Sequence, residues 1–534
     1  MKERIDLLVN ALSKQPVWLV FAFTVLSGFA LIINLGLMPL DSDEPTRAMV
    51  AFEMLKTGNY IVPKIFGEFY YNKPPLYNWL IILSYQAFGV INEFSTRFPT
   101  ILCLAGYVFT IYAVSKKHFG KRWAWVNALM FLTCGRILLW DSLLGLIDIG
   151  FSWVIFTLFY SVYYFFEKRA WYKLFVAAYA LAGIAFLLKG LPAIVFVGAT
   201  LFIWFTVNKE FKRLFYLPHF AGLGVFILIV GSFYLAYSQY NELGIVFKTL
   251  FTESSKRTAV RFGLWPTVLH LFTFPFEMLY HFLPWSLFSL FMLRRDFWKK
   301  VKENRFIYFL VMTFGINIIP YWTSVEVFPR YLLMLAPVFF TVSLYFYKLR
   351  FEEQTKGHKT IEWVFLGVAS LTLLLTWVVF FIPETKHTPL IGLKVVALIF
   401  LFAGGVYVMW QHRLYRLIAF AWVLLTFRLA FDWFVLPARH ADSWRIPFKE
   451  NAIAAAETTR SEKLIQHYDG VIGHFSGFYF STVRDTILPI EPNNLSPENL
   501  IICAPNQLQE FELDTVAQFN ITWEKSERYV VRRK

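Results

Sequence analysis

Apolar and polar residues follow one another in long blocks along most of this chain. Thirteen apolar blocks cover 17–39, 97–115, 123–140, 149–166, 174–188, 191–207, 217–237, 273–293, 306–321, 331–347, 360–382, 390–410 and 417–437. Each approaches the roughly 20 residues that a membrane-spanning helix needs. The block Leu76–Val90 is shorter and carries Asn78, Ser84 and Gln86, which predicts an interfacial helix. After Pro437 the polarity becomes ordinary. There Val471–His474 and Leu500–Cys503 read as short buried strands, Pro505–Leu513 as a short helix and Ile521–Arg532 as a terminal strand. The expected architecture is a multi-spanning α-helical membrane domain over 1–437, with about thirteen spans, followed by a small soluble α/β domain over 438–534.

Charge gives this pattern a direction. With the N-terminus in the cytoplasm, the inner segments hold 25 Lys and Arg and the outer ones 11, as the positive-inside rule requires. An odd number of spans then puts the C-terminal domain outside. The first block exceeds 20 residues and no small-x-small cleavage site follows it, so it is expected to stay as an anchor. Only 16% of residues are charged, against about 25% in soluble domains, which fits a chain built for lipid. The net charge of +15 resides in short loops, without a basic helix or an aromatic platform, so a nucleic-acid partner is excluded. Cys103, Cys134 and Cys503 lie far apart and form no metal-type spacing.

Candidate chemistry concentrates in the outer loops. The first, 40–96, opens on Asp41, Asp43 and Glu44 and later carries Tyr71-Asn72-Lys73-Pro74-Pro75. A carboxylate there either caps the helix that Glu44-Pro45 opens or serves as a general base, and spacing alone does not choose. Lys73 in its stiff Pro-Pro setting either snorkels to headgroups or holds a phosphate. Asp148, at the outer end of a span, is a helix cap or a residue with a charged partner, and Lys189 between two apolar runs snorkels or pairs with an anion. Loop 238–272 adds Glu253, Lys256, Arg257 and Arg261, either a solvated stretch or part of a site. Arg330 heads a later span. All of these fall on one side of the predicted membrane.

The order Asp43-Glu44, Glu53-Met54-Leu55, Gly58, Ile61-Val62-Pro63 and Tyr70-Tyr71-Asn72-Lys73-Pro74-Pro75 resembles the first outer loop of the GT-C glycosyltransferases, above all the bacterial aminoarabinose transferases and the protein O-mannosyltransferases. Asp148, Leu187-Leu188-Lys189-Gly190-Leu191-Pro192, Glu253 with Arg257, and Ser324 with Pro329-Arg330-Tyr331-Leu332 follow in the matching order. The resemblance implies transfer of a sugar from a polyprenyl-phosphate donor, with inversion, at the periplasmic face of the inner membrane. The acceptor would be lipid A, protein or another envelope glycan. It implies Asp43 as base and Asp148 as the carboxylate that orients sugar or acceptor. Glu44, Tyr71, Lys73, Lys189, Glu253, Arg257 and Arg330 would then bind substrate. Two departures stand out: Asn72 and Ser254 occupy positions where relatives carry Glu and His, so no metal and no other cofactor is expected. A transporter or lipid flippase is the alternative for so many spans, but its charges belong at mid-membrane, where only Arg136 and Arg428 lie. An envelope scaffold would leave the acidic loop without a purpose.

Overall fold

The computed structural model describes residues 17–255, 263–386, 388–494, 496–505, 507, 512–521 and 527–534. Every predicted apolar block falls on helix, yet blocks and spans do not coincide one to one. Eight helices among the described residues have the length and apolarity to cross a membrane: Glu93–Phe119, Asp148–Glu167, Trp171–Lys189, Leu217–Tyr237, Arg305–Trp322, Lys356–Phe381, Ile391–Gln411 and Arg413–Ala441. A ninth candidate is the pair Lys121–Leu132 and Gly135–Leu143, bent by 48°. Thirteen spans are therefore not established by length and composition.

The shortfall has local causes. The block at 123–140 breaks because the Gly135 N–H leaves the helix for the Leu283 carbonyl at 2.7 Å, while Trp285 Nε1 donates to Thr133 Oγ1 at 2.9 Å. The block at 273–293 divides into a helix over Leu264–His281 and a 3₁₀ stretch over Trp285–Met292, with Pro284 between them. Those at 17–39 and 191–207 yield only Val17–Ile32 and Pro192–Val207, 16 residues each. Leu76–Phe88 is a helix, as read.

The two mid-span arginines are held by structural pairs. Arg428 meets Asp432 at 2.8 Å, both fully buried, where the last long helix relaxes into a π turn over Phe431–Val435. Arg136 pairs with Asp141 at 2.5 Å. Each therefore carries its counter-charge with it, as burial in hydrocarbon demands.

The tail forms a four-stranded sheet in the order β3-β4-β6-β5, with β3 Leu464–Gln466, β4 Leu500–Cys503, β5 Leu513–Asn520 and β6 Glu527–Arg533. β3 and β4 are parallel and the other pairs antiparallel. The expected strand at Val471–His474 is instead the approach to a helix over Gly473–Arg484. Phe475, Phe478 and Tyr479 recur there at helical spacing and are all buried. Of the helix expected at 505–513, Pro505 lies in a turn and Leu513 begins β5; residues 506 and 508–511 lie outside the described residues.

One buried ion pair fixes the base of the first loop. Glu44 is fully buried and Arg97 is 2% exposed. Arg97 Nε and Nη2 donate to the two Glu44 oxygens at 2.7 and 2.8 Å, and its other donors go to the carbonyls of Leu35, Met38 and Pro39. All five guanidinium N–H groups are thus used. The Glu44 oxygens also accept the N–H groups of Gly145 at 2.6 Å and Asp41 at 2.7 Å. The pair therefore joins the end of the first helix, the loop, the Glu93–Phe119 helix and the segment that leads to Asp148. We expect Arg97→Ala, which strands the carboxylate, to cost about 3–5 kcal/mol, read as a fall in the thermal unfolding midpoint of the detergent-solubilised chain.

Candidate functional site

Three carboxylates within four residues face three ways. Ser42 adopts φ +56° and turns the chain between Asp41 and Asp43. Asp41 pairs outward with Arg445 of the tail at 2.7 Å. Glu44 points inward to Arg97. Asp43 occupies the N-cap of the helix Glu44–Thr57 but makes no side-chain cap hydrogen bond, and its side chain is 67% exposed. Of the two readings of this acidic run, capping is not what Asp43 does. Glu44, expected to bind substrate, is instead sealed into the fold with both oxygens occupied, so no ligand can approach it.

Asp148 and Lys189 meet by topology. Asp148 starts one helix and Lys189 ends the next; the short link at Lys168–Ala170 folds these helices into a hairpin that returns the chain to its starting level. Lys189 Nζ stands 2.5 Å from Asp148 Oδ1, and both side chains are nearly buried. A carboxylate at a helix N-terminus and an ammonium at a C-terminus are each favoured by the backbone dipoles. Lys189 also lies over the Tyr331 ring at 4.4 Å and the Phe151 ring at 5.3 Å.

Arg330 connects this pair to the first loop. Its guanidinium lies 3.8 Å from Asp148 Oδ2 and 3.7 Å from Asp43 Oδ2, and it donates to Ser42 Oγ at 3.3 Å. Lys73 is close enough to act electrostatically on Asp148. The Tyr71 hydroxyl accepts from Asn241 Nδ2 at 3.1 Å, which ties the Lys-Pro-Pro segment to the end of helix Leu217–Tyr237. Lys73 and Glu253 are each engaged by neighbours. Asn72 is exposed; Arg257 and the Ser254 side chain lie outside the described residues. The structure thus gathers Asp43, Asp148, Lys189 and Arg330, with Lys73 beside them, and withdraws Glu44. Among the described residues no three carboxylate, imidazole or thiol groups converge as metal ligands.

Sequence reading missed the framework of this loop. Arg97 and Arg445 gave no local signal, because each acts on residues tens to hundreds of positions away, and His474, beside an expected strand, read as structural. Glu53, by contrast, stood within the loop. Its carboxylate receives the N–H groups of Phe66 and Gly67, the turn of a hairpin pairing β1 Lys64–Ile65 with β2 Glu68–Phe69. Both turn residues have positive φ, +57° at Phe66 and +83° at Gly67, as two-residue hairpin turns of this kind require. His474 shares a hydrogen bond with Thr46 Oγ1 at 2.8 Å.

Helices long and apolar enough to cross a membrane, an acidic first loop and a cationic cluster beside it make up a multi-pass membrane protein. Comparison with known proteins agrees. Residues 72–237 match the dolichyl-phosphate-mannose-protein mannosyltransferase family. An uncharacterized protein of Aquifex aeolicus (strain VF5) is 24% identical over 334 residues, 62% of this chain and 64% of that relative. The undecaprenyl phosphate-alpha-4-amino-4-deoxy-L-arabinose arabinosyl transferase of Shewanella sediminis is 33% identical over 103 residues, 19% of each chain. The chain therefore spans less than two thirds of the length of these sequence relatives. The crystal structure of ArnT from Cupriavidus metallidurans bound to undecaprenyl phosphate matches with a TM-score of 0.71 over 97% of this chain and 98% of that one, at 17% identity. That likeness is one of fold. The family resemblance drawn from the first outer loop is borne out.

The Glu53 carboxyl makes the loop sensitive to pH. Burial pushes it from 4.5 to about 7, against the lowering pull of the Gly67 and Phe66 N–H groups. A carboxyl raised on folding contributes stability that is full below its unfolded value and lost as pH rises through its folded value, here from about 4.5 upward through about 7. Hydrogen exchange over 64–69, corrected for intrinsic rates, should therefore quicken between about pH 4.5 and about pH 7, and Glu53→Gln should flatten that dependence.

Proposed function

We propose that this chain transfers a sugar from a polyprenyl-phosphate donor to an acceptor at the outer face of a cell membrane. The observation that carries the reading is Arg330, which bridges an exposed carboxylate, Asp43, and a buried ion pair, Asp148–Lys189. Such a group can act on a departing anion while a base stands next to it. The sequence similarity to lipid-phosphate-dependent sugar transferases and the shared fold add support.

In this mechanism the acceptor O–H gives its proton to Asp43 as the oxygen attacks the anomeric carbon. The bond from that carbon to the phosphate oxygen breaks on the opposite side, so the configuration inverts. The leaving phosphate takes the electron pair, and Arg330, with Lys73 and Lys189, stabilises the charge that develops there. Asp148 holds Lys189 and Arg330 in place and orients the bound sugar. Tyr71 and Glu253 line the approach from the Leu243–Ser255 helix, and Arg257 would add a further cation. The proposal includes thirteen crossings, a cytoplasmic N-terminus and a periplasmic domain over 438–534. Contacts between the tail and the first loop, Arg445 to Asp41 among them, support that arrangement.

Asp43→Asn should reduce transfer from a purified polyprenyl-phosphate sugar by roughly 10²–10⁴-fold while the solubilised protein keeps its unfolding midpoint. Near-normal turnover in that variant would remove Asp43 as base. Failure of the wild-type chain to consume any lipid-linked sugar, with envelope lipids and glycoproteins unchanged by mass spectrometry when the chain is deleted, would remove the whole reading.

A further inference from the structure

The tail helix Gly473–Arg484 reaches the first loop at the places where that loop begins, turns and ends. The Tyr479 hydroxyl accepts the Leu40 N–H at 3.1 Å and donates to Glu93 Oε1 at 2.9 Å. Leu40 stands at the loop's entrance and Glu93 at its exit, so a single buried oxygen ties the two together. Lys449 Nζ fixes the same Glu93 oxygen at 2.5 Å. Five residues earlier on the helix, His474 meets Thr46 in the first turn of the helix whose N-cap is Asp43. Between these contacts the chain carries Gly477, and a Cβ at that position would stand 2.4 Å from Phe66 Cζ. Phe66 is the non-glycine member of the two positive-φ residues in the hairpin turn. A bulky residue keeps such a conformation only where its surroundings over-determine it, and here Glu53 and the Gly477 surface do so.

None of these contacts serves the tail's own sheet. One face of that sheet has a small separate core of Ile465, Ile501, Cys503 and Val531, its other face (Leu464, Leu500, Ile502 and Val530) joins the large core together with the tail helix, and the Tyr479 hydroxyl, His474 and Gly477 meet the loop. We propose that the tail helix is the positioning element of the catalytic loop. Tyr479, His474 and Gly477 hold the loop so that Asp43 stays in register with Arg330 and Asp148, and they act on turnover through the loop without touching substrate. The kinetic part rests on the transferase reading; the structural part does not.

Two variants of the full solubilised chain test it, with hydrogen exchange as the first readout. Tyr479→Phe deletes one oxygen and leaves the Leu40 N–H unsatisfied. Gly477→Ala drives a methyl into Phe66. Each should speed exchange across 40–66 by about tenfold or more, with no change in the strands at 500–503 and 527–533. In transfer assays kcat should fall about tenfold, with KM for the lipid donor changed less than about twofold. Phe66→Ala in the Gly477→Ala background should restore most of kcat, a rescue that general destabilisation would not give. Unchanged exchange over 40–66 in both variants overturns the proposal, as does accelerated exchange across the whole tail domain, which would mean simple unfolding. Full kcat in both variants also overturns it. Faster loop exchange in a chain whose wild type transfers no sugar would sink the transferase reading and leave the clamp standing.

Discussion

The buried pair Glu44–Arg97 is the constraint on which the site-bearing end of this molecule depends. Two charges removed almost entirely from water must satisfy each other and every remaining donor and acceptor, or the region does not fold. That demand draws together the end of the first helix, the loop, the Glu93–Phe119 helix and Gly145. It also explains how Asp43, one residue away, can be exposed and yet held. Its backbone belongs to a rigid junction while its side chain projects from it, which suits the base proposed for this position.

Around that anchor the charges are arranged by helix ends. Asp148 and Lys189 pair because a helical hairpin returns to its starting level, and Arg330 enters from a 3₁₀ turn of a distant segment to bridge them to the loop. The pairs Arg428–Asp432 and Arg136–Asp141 are each satisfied by a counter-charge, Arg428 also donates to the Leu138 carbonyl and Ser142 Oγ, and Asp141 lies within electrostatic reach of Arg330. A transporter's central polar site has no counterpart in these pairs.

Much of this was legible in the chain. Apolar blocks located the helices, and the one-sided distribution of Asp43, Lys73, Asp148, Lys189 and Arg330 anticipated that they would meet. What the sequence could not resolve was which of three neighbouring carboxylates is free, because the answer depends on Arg97 and Arg445, 53 and 404 residues away from their partners. Span breaks at Thr133 and Pro284 depend in the same way on contacts between segments. Val471–His474 was misread because two apolar residues before a helix look the same as the start of a strand. The helix that follows is the one seated on the loop, so the error concealed the tail's relation to the site.

The helix Pro192–Val207 has a consequence for the lipid around it. Lys189 is tied to Asp148 and Asn241 to Tyr71, so the chain stands at the same membrane face at both points. Between them lie this helix, the 3₁₀ turn Phe211–Phe215 and Leu217–Tyr237, so a crossing by the last of these requires a crossing by the first. Sixteen residues at 1.5 Å each reach about 24 Å, against a hydrocarbon layer of about 30 Å. A bilayer that meets so short a helix either thins toward it or takes in its flanking residues. Lys189 stands three residues before the start of this short helix, so thinning at that end would bring lipid headgroups nearer to it.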